Sequence, residues 1–115
     1  MKKLLQSFQF ALSGFFRNIA SERNLQIHLF AFAFVLSLGF YYSISIFEWM
    51  AILIISALVI SLELINSAIE KLCDYVQPAW HEKIKIIKDT MAAAVLFSAI
   101  LAMVIGGCIF FPKMF

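Results

Sequence analysis

The chain has 115 residues, of which 63% are hydrophobic and 14% charged, and it carries a formal net charge of +2 with a mean hydropathy of +0.95. About half the residues of a soluble domain are apolar, so this composition excludes an ordinary water-soluble domain. The low charge, with only 4 Gly and 2 Pro, also excludes a disordered tail and a long linker. We therefore expect one membrane-embedded domain over residues 1–115, with no nucleic-acid partner.

The N-terminal segment has its apolar residues at helical spacing. Between residues 4 and 20, large apolar side chains recur on one side of a helix and polar side chains occupy the other positions. Lys2, Lys3 and Arg17 suit the anionic headgroups of a bilayer. This pattern predicts an amphipathic helix on the membrane surface; a helix packed against the other spans is the alternative.

Three later segments approach or exceed the roughly 20 apolar residues needed to cross about 30 Å of hydrocarbon. We predict spans at about 28–47, 49–74 and 89–111, with Pro112 closing the last one. Residues 75–88 then form a short amphipathic connection. The predicted fold is an all-α membrane protein with three transmembrane helices plus the N-terminal amphipathic surface helix.

Lysine and arginine are distributed unevenly about these spans. Four precede the first span and four border the second connection, whereas the first connection has none. By the positive-inside rule, the N-terminus and the second connection face the cytoplasm, and Lys113 lies on the opposite side.

A polar stripe runs along the second span. Its members are spaced by three, four and four residues: Glu63, Asn66, Glu70 and Asp74. This spacing places them on one helix face over about 16 Å of the axis. Carboxylates at bilayer depth are costly without a partner or a proton, which makes them functional candidates. Hydrogen bonding between helices is the structural alternative, but it would not require several acids together.

Two carboxylates toward the cytoplasmic side suit a divalent cation. Mg²⁺ prefers oxygen ligands and binds substrate phosphates together with one or two carboxylates. Glu70 lies in the lower part of the stripe, and Glu22 precedes the first span at the same membrane level. We therefore predict Glu22 and Glu70 as Mg²⁺ ligands; for Glu22, an interfacial salt bridge is the alternative.

Lys88 and Asp89 open the predicted third span. Free N–H groups and the positive end of the helix dipole favour phosphate at a helix start, and a lysine adds a movable cation. Combined with the acidic stripe, the pair completes a set that phosphoryl transfer requires: acids for a metal, a base deeper in the membrane, and a cation for phosphate.

These residues closely resemble those of the bacterial integral-membrane diacylglycerol and undecaprenol kinases. The resemblance centres on residues 63–70, ELINSAIE, followed by Asp74 and by Lys88 and Asp89 ahead of AAAVL. Further similarity extends along nearly the whole chain: Gly14, residues 21–24, His28, Trp80, His81, Pro112 and Lys113.

The resemblance implies a lipid kinase of the bacterial cytoplasmic membrane, with its active site on the cytoplasmic side, that transfers the γ-phosphate of ATP to a lipid hydroxyl. It implies Glu63 as catalytic base, with Asn66 and Asp74 positioning the reacting groups. Six residues would form the ATP and Mg²⁺ site: Glu22, Glu70, Trp80, His81, Lys88 and Asp89. The family is homotrimeric, with sites between subunits, and it lacks a P-loop.

Two questions stay open at this stage. The acceptor is either diacylglycerol or undecaprenol, because residues 21–24 and the Pro112–Lys113 ending resemble the undecaprenol kinases whereas Ser67 resembles the diacylglycerol kinases. The alternative function is a small proton- or cation-coupled transporter, in which Glu63 and Glu70 would relay protons. Such a relay should continue across the membrane, yet the third span has no ionisable group between residues 92 and 111.

Overall fold

A computed structural model describes all 115 residues and consists of four α-helices without strands. The helices in chain order are α1 (Lys2–Ser21), α2 (Arg23–Tyr41), α3 (Ile46–Val76) and α4 (Glu82–Met114). Helices α2, α3 and α4 are each long and apolar enough to cross a membrane. The predicted fold class, three transmembrane helices with an additional N-terminal helix, is therefore confirmed.

Helix α1 is amphipathic and contacts both α2 and α3. None of its residues is buried, and large side chains such as Leu5, Phe8 and Phe16 are exposed. A short chain that leaves a row of large apolar side chains uncovered requires another apolar phase to cover them. The outer apolar face of α1 is thus available to lipid.

Glu22 forms the junction between α1 and α2. Its backbone is extended, with φ −107° and ψ 109°, so it ends one helix and begins the next. The Asn18 side chain donates to the Gly14 carbonyl at 2.8 Å, and the Gln26 side chain donates to the Ile19 carbonyl at 2.6 Å. The Gln26 bond satisfies a carbonyl group in the last turn of α1, and both bonds support the bend beside Glu22.

The connection between the first two spans lies earlier than predicted and is longer, because residues 42–45 separate the helices whereas the predicted spans leave only residue 48 between them. The span predicted at 28–47 is the helix Arg23–Tyr41, and α3 begins at Ile46 instead of residue 49. Ser43 takes a left-handed φ of 50° in the turn. Ser45 then caps α3 by accepting from the Glu48 N–H at 3.2 Å, while Glu48 accepts from the Ser45 N–H at 2.9 Å. This capping box fixes the start of the helix.

The second connection, residues 77–81, is shorter than the predicted 75–88. Helix α3 continues to Val76 and α4 begins at Glu82, not at residue 89. The reason is the cap: His81 Nδ1 accepts from the Lys83 N–H at 3.1 Å, which satisfies a free donor of the first turn. The lysines that follow can stay helical because their long side chains reach from the helix to water.

Pro112 does not end the last helix, which continues to Met114. The residue only removes one intrahelical hydrogen bond, and helices in membranes tolerate this loss where the freed carbonyl finds another partner. The predicted end at residue 111 is therefore three residues too early.

Helix α3 forms the centre of the bundle, packing along α4 and against α2. A small apolar core lies at the far end, opposite α1, and consists of Ile44, Ile52, Ile109 and Phe110. Only 14 of the 115 residues are buried. Most of the apolar surface of the spans is therefore left to lipid or to other protein chains.

Gly39 of α2 packs directly against Trp49 of α3. A Cβ added to this residue would lie 2.6 Å from the Trp49 ring, well inside ordinary contact distance. The Trp49 ring also lies 4.9 Å from the Phe40 ring, centroid to centroid. Glycine is required here by the close approach and not by its backbone angles.

Candidate functional site

The deepest acid of the stripe is buried beside a histidine of the neighbouring helix. Glu63 is 2% exposed, and its Oε2 lies 3.8 Å from His28 Nε2 on α2. The pair joins α2 to the middle of α3, where the surrounding side chains are mainly apolar. A polar imidazole beside the carboxylate partly offsets the cost of burying it.

The next member of the stripe links the deep acid to the shallower one. Asn66 is 5% exposed, and its amide donates to Glu70 Oε1 at 3.3 Å. Its own carbonyl oxygen is buried without a hydrogen-bond partner. An unpaired buried acceptor costs about 1–3 kcal/mol, and such groups are found at sites that receive a ligand or an ion.

Lys71 connects the α1–α2 junction to α3. Its ammonium group donates to Asn18 Oδ1 at 3.1 Å and lies 3.7 Å from Glu22 Oε1. Because Lys71 follows Glu70 directly in sequence, the contact brings Glu22 to the level of Glu70 on α3. The predicted cation ligands therefore lie at one end of the bundle, although a lysine holds one of them.

A polar cavity of about 410 Å³ lies where α3 ends and α4 begins. Five of the predicted site residues line it: Asp74, Trp80, His81, Lys88 and Asp89. The cavity thus brings together the end of the stripe and four of the six residues that the resemblance assigns to the ATP and Mg²⁺ site, whereas Glu22 and Glu70 lie outside its lining.

Ion pairs cross the wall of this cavity. Lys88 Nζ lies 2.6 Å from Asp74 Oδ1, and Lys85 Nζ lies 2.6 Å from Asp89 Oδ2. Asp74 and both residues of the second pair are mostly exposed, so these ion pairs contribute little to the free energy of folding. Phosphate oxygens entering the cavity could replace the carboxylates as partners of the two lysines.

The prediction that Lys88 and Asp89 begin a helix is wrong. They lie in the second turn of α4, which starts at Glu82, so their N–H groups bond within the helix. The free donors belong to the first turn, and one of them is already capped by His81. Lys88 and Asp89 therefore contribute side chains to the cavity, not a helix end.

The donor set fits Mg²⁺ in chemistry, although one chain does not complete a site. Carboxylate and amide oxygens are the ligands that Mg²⁺ prefers, and the stripe offers Glu70 with the unpaired Asn66 oxygen beside it. No three His, Cys, Asp or Glu side chains are assembled closely enough to hold a metal ion. Mg²⁺ commonly takes its remaining ligands from water and substrate phosphates, so this arrangement fits a nucleotide-bound ion.

Three residues of the site have no role predicted from the sequence: His28, Lys71 and Asn18. The available signals were weak: His28 is the one ionisable residue inside the apolar part of α2, and Lys71 adjoins Glu70. Which acid each of them faces depends on how the helices pack, and spacing along a single helix does not encode this.

Fold and site together define a class of protein: a small polytopic membrane protein with a polar stripe that runs from the buried Glu63 to a charged cavity at Asp74. The chain matches the prokaryotic diacylglycerol kinases over residues 9–110. It is 38% identical over 114 residues to the undecaprenol kinase of Bacillus subtilis, covering 99% of this chain and 93% of that protein.

A second similar protein is the diacylglycerol kinase of Synechocystis sp., which is 37% identical over 112 residues. The match covers 96% of this chain and 64% of the Synechocystis protein. No solved structure matches the chain significantly. The chain belongs to the prokaryotic diacylglycerol kinase family, and it is a bacterial membrane lipid kinase.

Proposed function

We propose that the protein transfers the γ-phosphate of ATP to the hydroxyl group of a lipid alcohol, either diacylglycerol or undecaprenol, at the cytoplasmic face of the bacterial inner membrane. The observation that carries this proposal is the continuity of one helix face. It leads from the polar cavity at Asp74 to the buried Glu63, about 16 Å along α3. Such a path joins a water-soluble donor to a lipid acceptor.

The polar cavity is the proposed nucleotide site. Lys88 and Lys85 supply cations for phosphate oxygens, and their present partners Asp74 and Asp89 hold them in exposed, replaceable ion pairs. Trp80 is 77% exposed beside the cavity and offers a flat apolar surface for the adenine, with His81 next to it. Stacking of a base on an aromatic ring is favourable without base-specific hydrogen bonds.

Glu63 is the proposed general base, and it would take the proton from the attacking lipid hydroxyl. His28 is a positioning residue, since its contact at 3.8 Å holds the carboxylate against α2. Asn66 connects this region to Glu70 through its amide and retains a free oxygen for a reacting group. General-base assistance contributes roughly 10²–10⁴-fold to a rate.

Glu22 and Glu70 are the proposed Mg²⁺ ligands. The ion would neutralise charge on the phosphates when bound with the nucleotide. Lys71 Nζ lies 3.7 Å from Glu22 Oε1, so it balances the carboxylate charge and holds the carboxylate toward α3. A homotrimer is proposed as the active assembly, because the exposed spans and the incomplete metal site both call for a neighbouring chain.

The function is tested by incubating the purified protein in mixed micelles with γ-labelled ATP and Mg²⁺, with either diacylglycerol or undecaprenol present. We expect label in the extracted lipid phosphate for at least one acceptor. If neither lipid becomes labelled while the protein stays folded, the proposed function is wrong.

The metal assignment is tested separately by measuring binding of Mg²⁺ with ATP to Glu70→Ala. We expect binding to depend on Mg²⁺ in the unchanged protein and to lose that dependence in the variant, since too few fixed oxygen ligands remain. Glu48→Ala removes a carboxylate from the far end of the same helix and should leave Mg²⁺-dependent binding unchanged. Equal binding by the Glu70 variant would return this residue to a structural role.

A further inference from the structure

An apolar crevice of about 550 Å³ opens between α2 and α4. Its floor is formed by residues of α3, and its walls are mainly apolar, with His28 and Ser56 as polar exceptions. The crevice exists because α2 and α4 both pack on α3 but share little contact with each other. The crevice faces the membrane interior. It is separate from the polar cavity lined by Asp74, with which it shares no residue.

The crevice begins at the proposed catalytic pair. His28 lines it and contacts Glu63 at 3.8 Å. On α3 its floor includes Ile60, Val59 and Ser56, which precede Glu63 by three, four and seven residues and therefore share its helix face. A molecule lying in the crevice with its polar head at His28 would extend away from Glu63 toward the far end of the bundle.

The dimensions fit a hydrocarbon chain. The α4 residues that line the crevice extend from Ala99 to Met114, a distance of about 22 Å along the helix. This is most of the roughly 30 Å thickness of the hydrocarbon layer. A chain in the crevice would stay within the apolar part of the membrane while its hydroxyl remained beside the acid.

The α4 wall is kept open by small residues. Ala102, Gly106 and Gly107 line it where larger side chains would fill the space. A Cβ at Gly106 would meet no atom within 4 Å, so the helix does not need glycine there for packing. The absence of a side chain at Gly106 therefore leaves the crevice wide at this point.

We propose that the crevice between α2 and α4 holds one hydrocarbon chain of the acceptor alcohol, and that Ala102 and Gly106 determine which chains fit. This inference rests on the proposed function, because Glu63 must receive the hydroxyl for the chain to lie there. Beyond the proposed function, this inference specifies the side of the bundle on which the acceptor binds. It also specifies the residues that select the length and width of the acceptor chain.

The test compares Gly106→Ala and Gly106→Leu with the unchanged protein on short-chain and long-chain members of one class of lipid alcohol. Filling the crevice should lower kcat/KM for the long-chain acceptor roughly 10-fold or more in the Leu variant, with a smaller loss for Ala, as expected for bulk added to an apolar pocket. The short-chain acceptor and the KM for ATP should change little. Because Gly106 has open space around it, both variants should fold.

Val104→Phe is the matched control, since Val104 lies two residues away on α4, is 53% exposed and does not line the crevice. It should leave both acceptors unaffected. An equal loss with Val104→Phe, or no loss with Gly106→Leu, would overturn the proposal. Equal loss on short and long acceptors together with an altered oligomeric state would also overturn it, because a neighbouring copy would then fill the crevice.

A binding measurement separates this inference from the proposed function. A long-chain lipid alcohol carrying a photoreactive diazirine on its chain is irradiated with the protein in micelles without ATP, and labelled peptides are mapped by mass spectrometry. We expect labelling of residues 99–114, reduced by Gly106→Leu and unchanged by Val104→Phe. Phosphoryl transfer without such labelling would refute binding of the acceptor chain in the crevice but not the kinase proposal. Labelling without phosphoryl transfer would refute the kinase proposal but not binding of the chain in the crevice.

Discussion

Replacing Glu63 by Gln removes a carboxylate while almost preserving the shape of the side chain. Glu63 is 2% exposed, so a smaller residue would leave a cavity, whereas Gln fills the same volume. The amide keeps the same polar contact with His28, whose Nε2 lies 3.8 Å from the carboxylate. We therefore expect the variant to fold and assemble as the unchanged protein does.

The expected effect falls on turnover. A general base contributes roughly 10²-fold or more, so kcat should fall by at least about that factor, equivalent to about 2.7 kcal/mol of transition-state stabilisation. ATP binding should change little, because the proposed nucleotide cavity lies about 16 Å away along α3. A loss in kcat without a loss in nucleotide binding is the signature of a group that acts mainly in the transition state.

The assay is steady-state transfer of labelled phosphate to the preferred lipid, with ATP and lipid varied separately. Glu48→Gln is the matched control: it also neutralises a carboxylate of α3, but at the far end, where Glu48 lies 3.3 Å from Lys113. The control should keep nearly normal turnover. Near-normal kcat in Glu63→Gln would refute the assignment of a base and leave positioning and charge neutralisation as the source of catalysis.

Three further predictions concern the packing at Gly39, the junction held by Lys71, and the orientation in the membrane. Gly39→Ala should destabilise the protein by about 1–3 kcal/mol, because the added methyl overlaps a tryptophan ring; an unchanged thermal midpoint in detergent would show that the ring moves freely. Lys71→Met should lower kcat/KM for ATP roughly 10-fold by releasing the α1–α2 junction, and Lys71→Arg should recover part of it. Lysine reagents applied outside intact cells should modify Lys113 and not Lys83, and the opposite pattern would reverse the proposed orientation.

The architecture was largely predictable because membrane spans leave a strong signal in sequence. Three apolar segments of sufficient length, with one amphipathic segment before them, specify the helix inventory without any knowledge of packing. The spacing of the stripe likewise indicated which polar residues share a face of α3. Two members of this face, Glu63 and Asn66, are buried in the bundle.

The ends of the helices were predicted less well, for reasons of local capping. A run of apolar residues does not show where hydrogen bonding stops, and the predicted spans were therefore displaced by several residues. The Ser45 and Glu48 pair that starts α3 is a readable capping signal that hydropathy overlooks. At the start of α4, the cap is a ring nitrogen of His81 that accepts a hydrogen bond. A histidine nitrogen is a less common capping acceptor, so the sequence shows no simple capping pattern there.

Contacts between helices could not be obtained from one sequence. The pairing of Glu63 with His28 and of Glu22 with Lys71 requires the relative rotation of α2 and α3, which depends on packing over their whole length. The gap between α2 and α4 is likewise a property of the assembled bundle. Residues such as Gly106, whose small size keeps that gap open, gain a functional interpretation only when the gap is seen.

The proposed reaction consumes one ATP molecule for each lipid phosphate formed. The most direct test quantifies ADP and lipid phosphate in the same reaction, with purified protein in micelles that contain or lack the lipid alcohol. We expect equal amounts of the two products with lipid present, and almost no ADP without it, because the phosphate has no acceptor hydroxyl at Glu63. ADP formed without matching lipid phosphate would contradict the proposed kinase reaction and favour an ATPase or a coupled transporter.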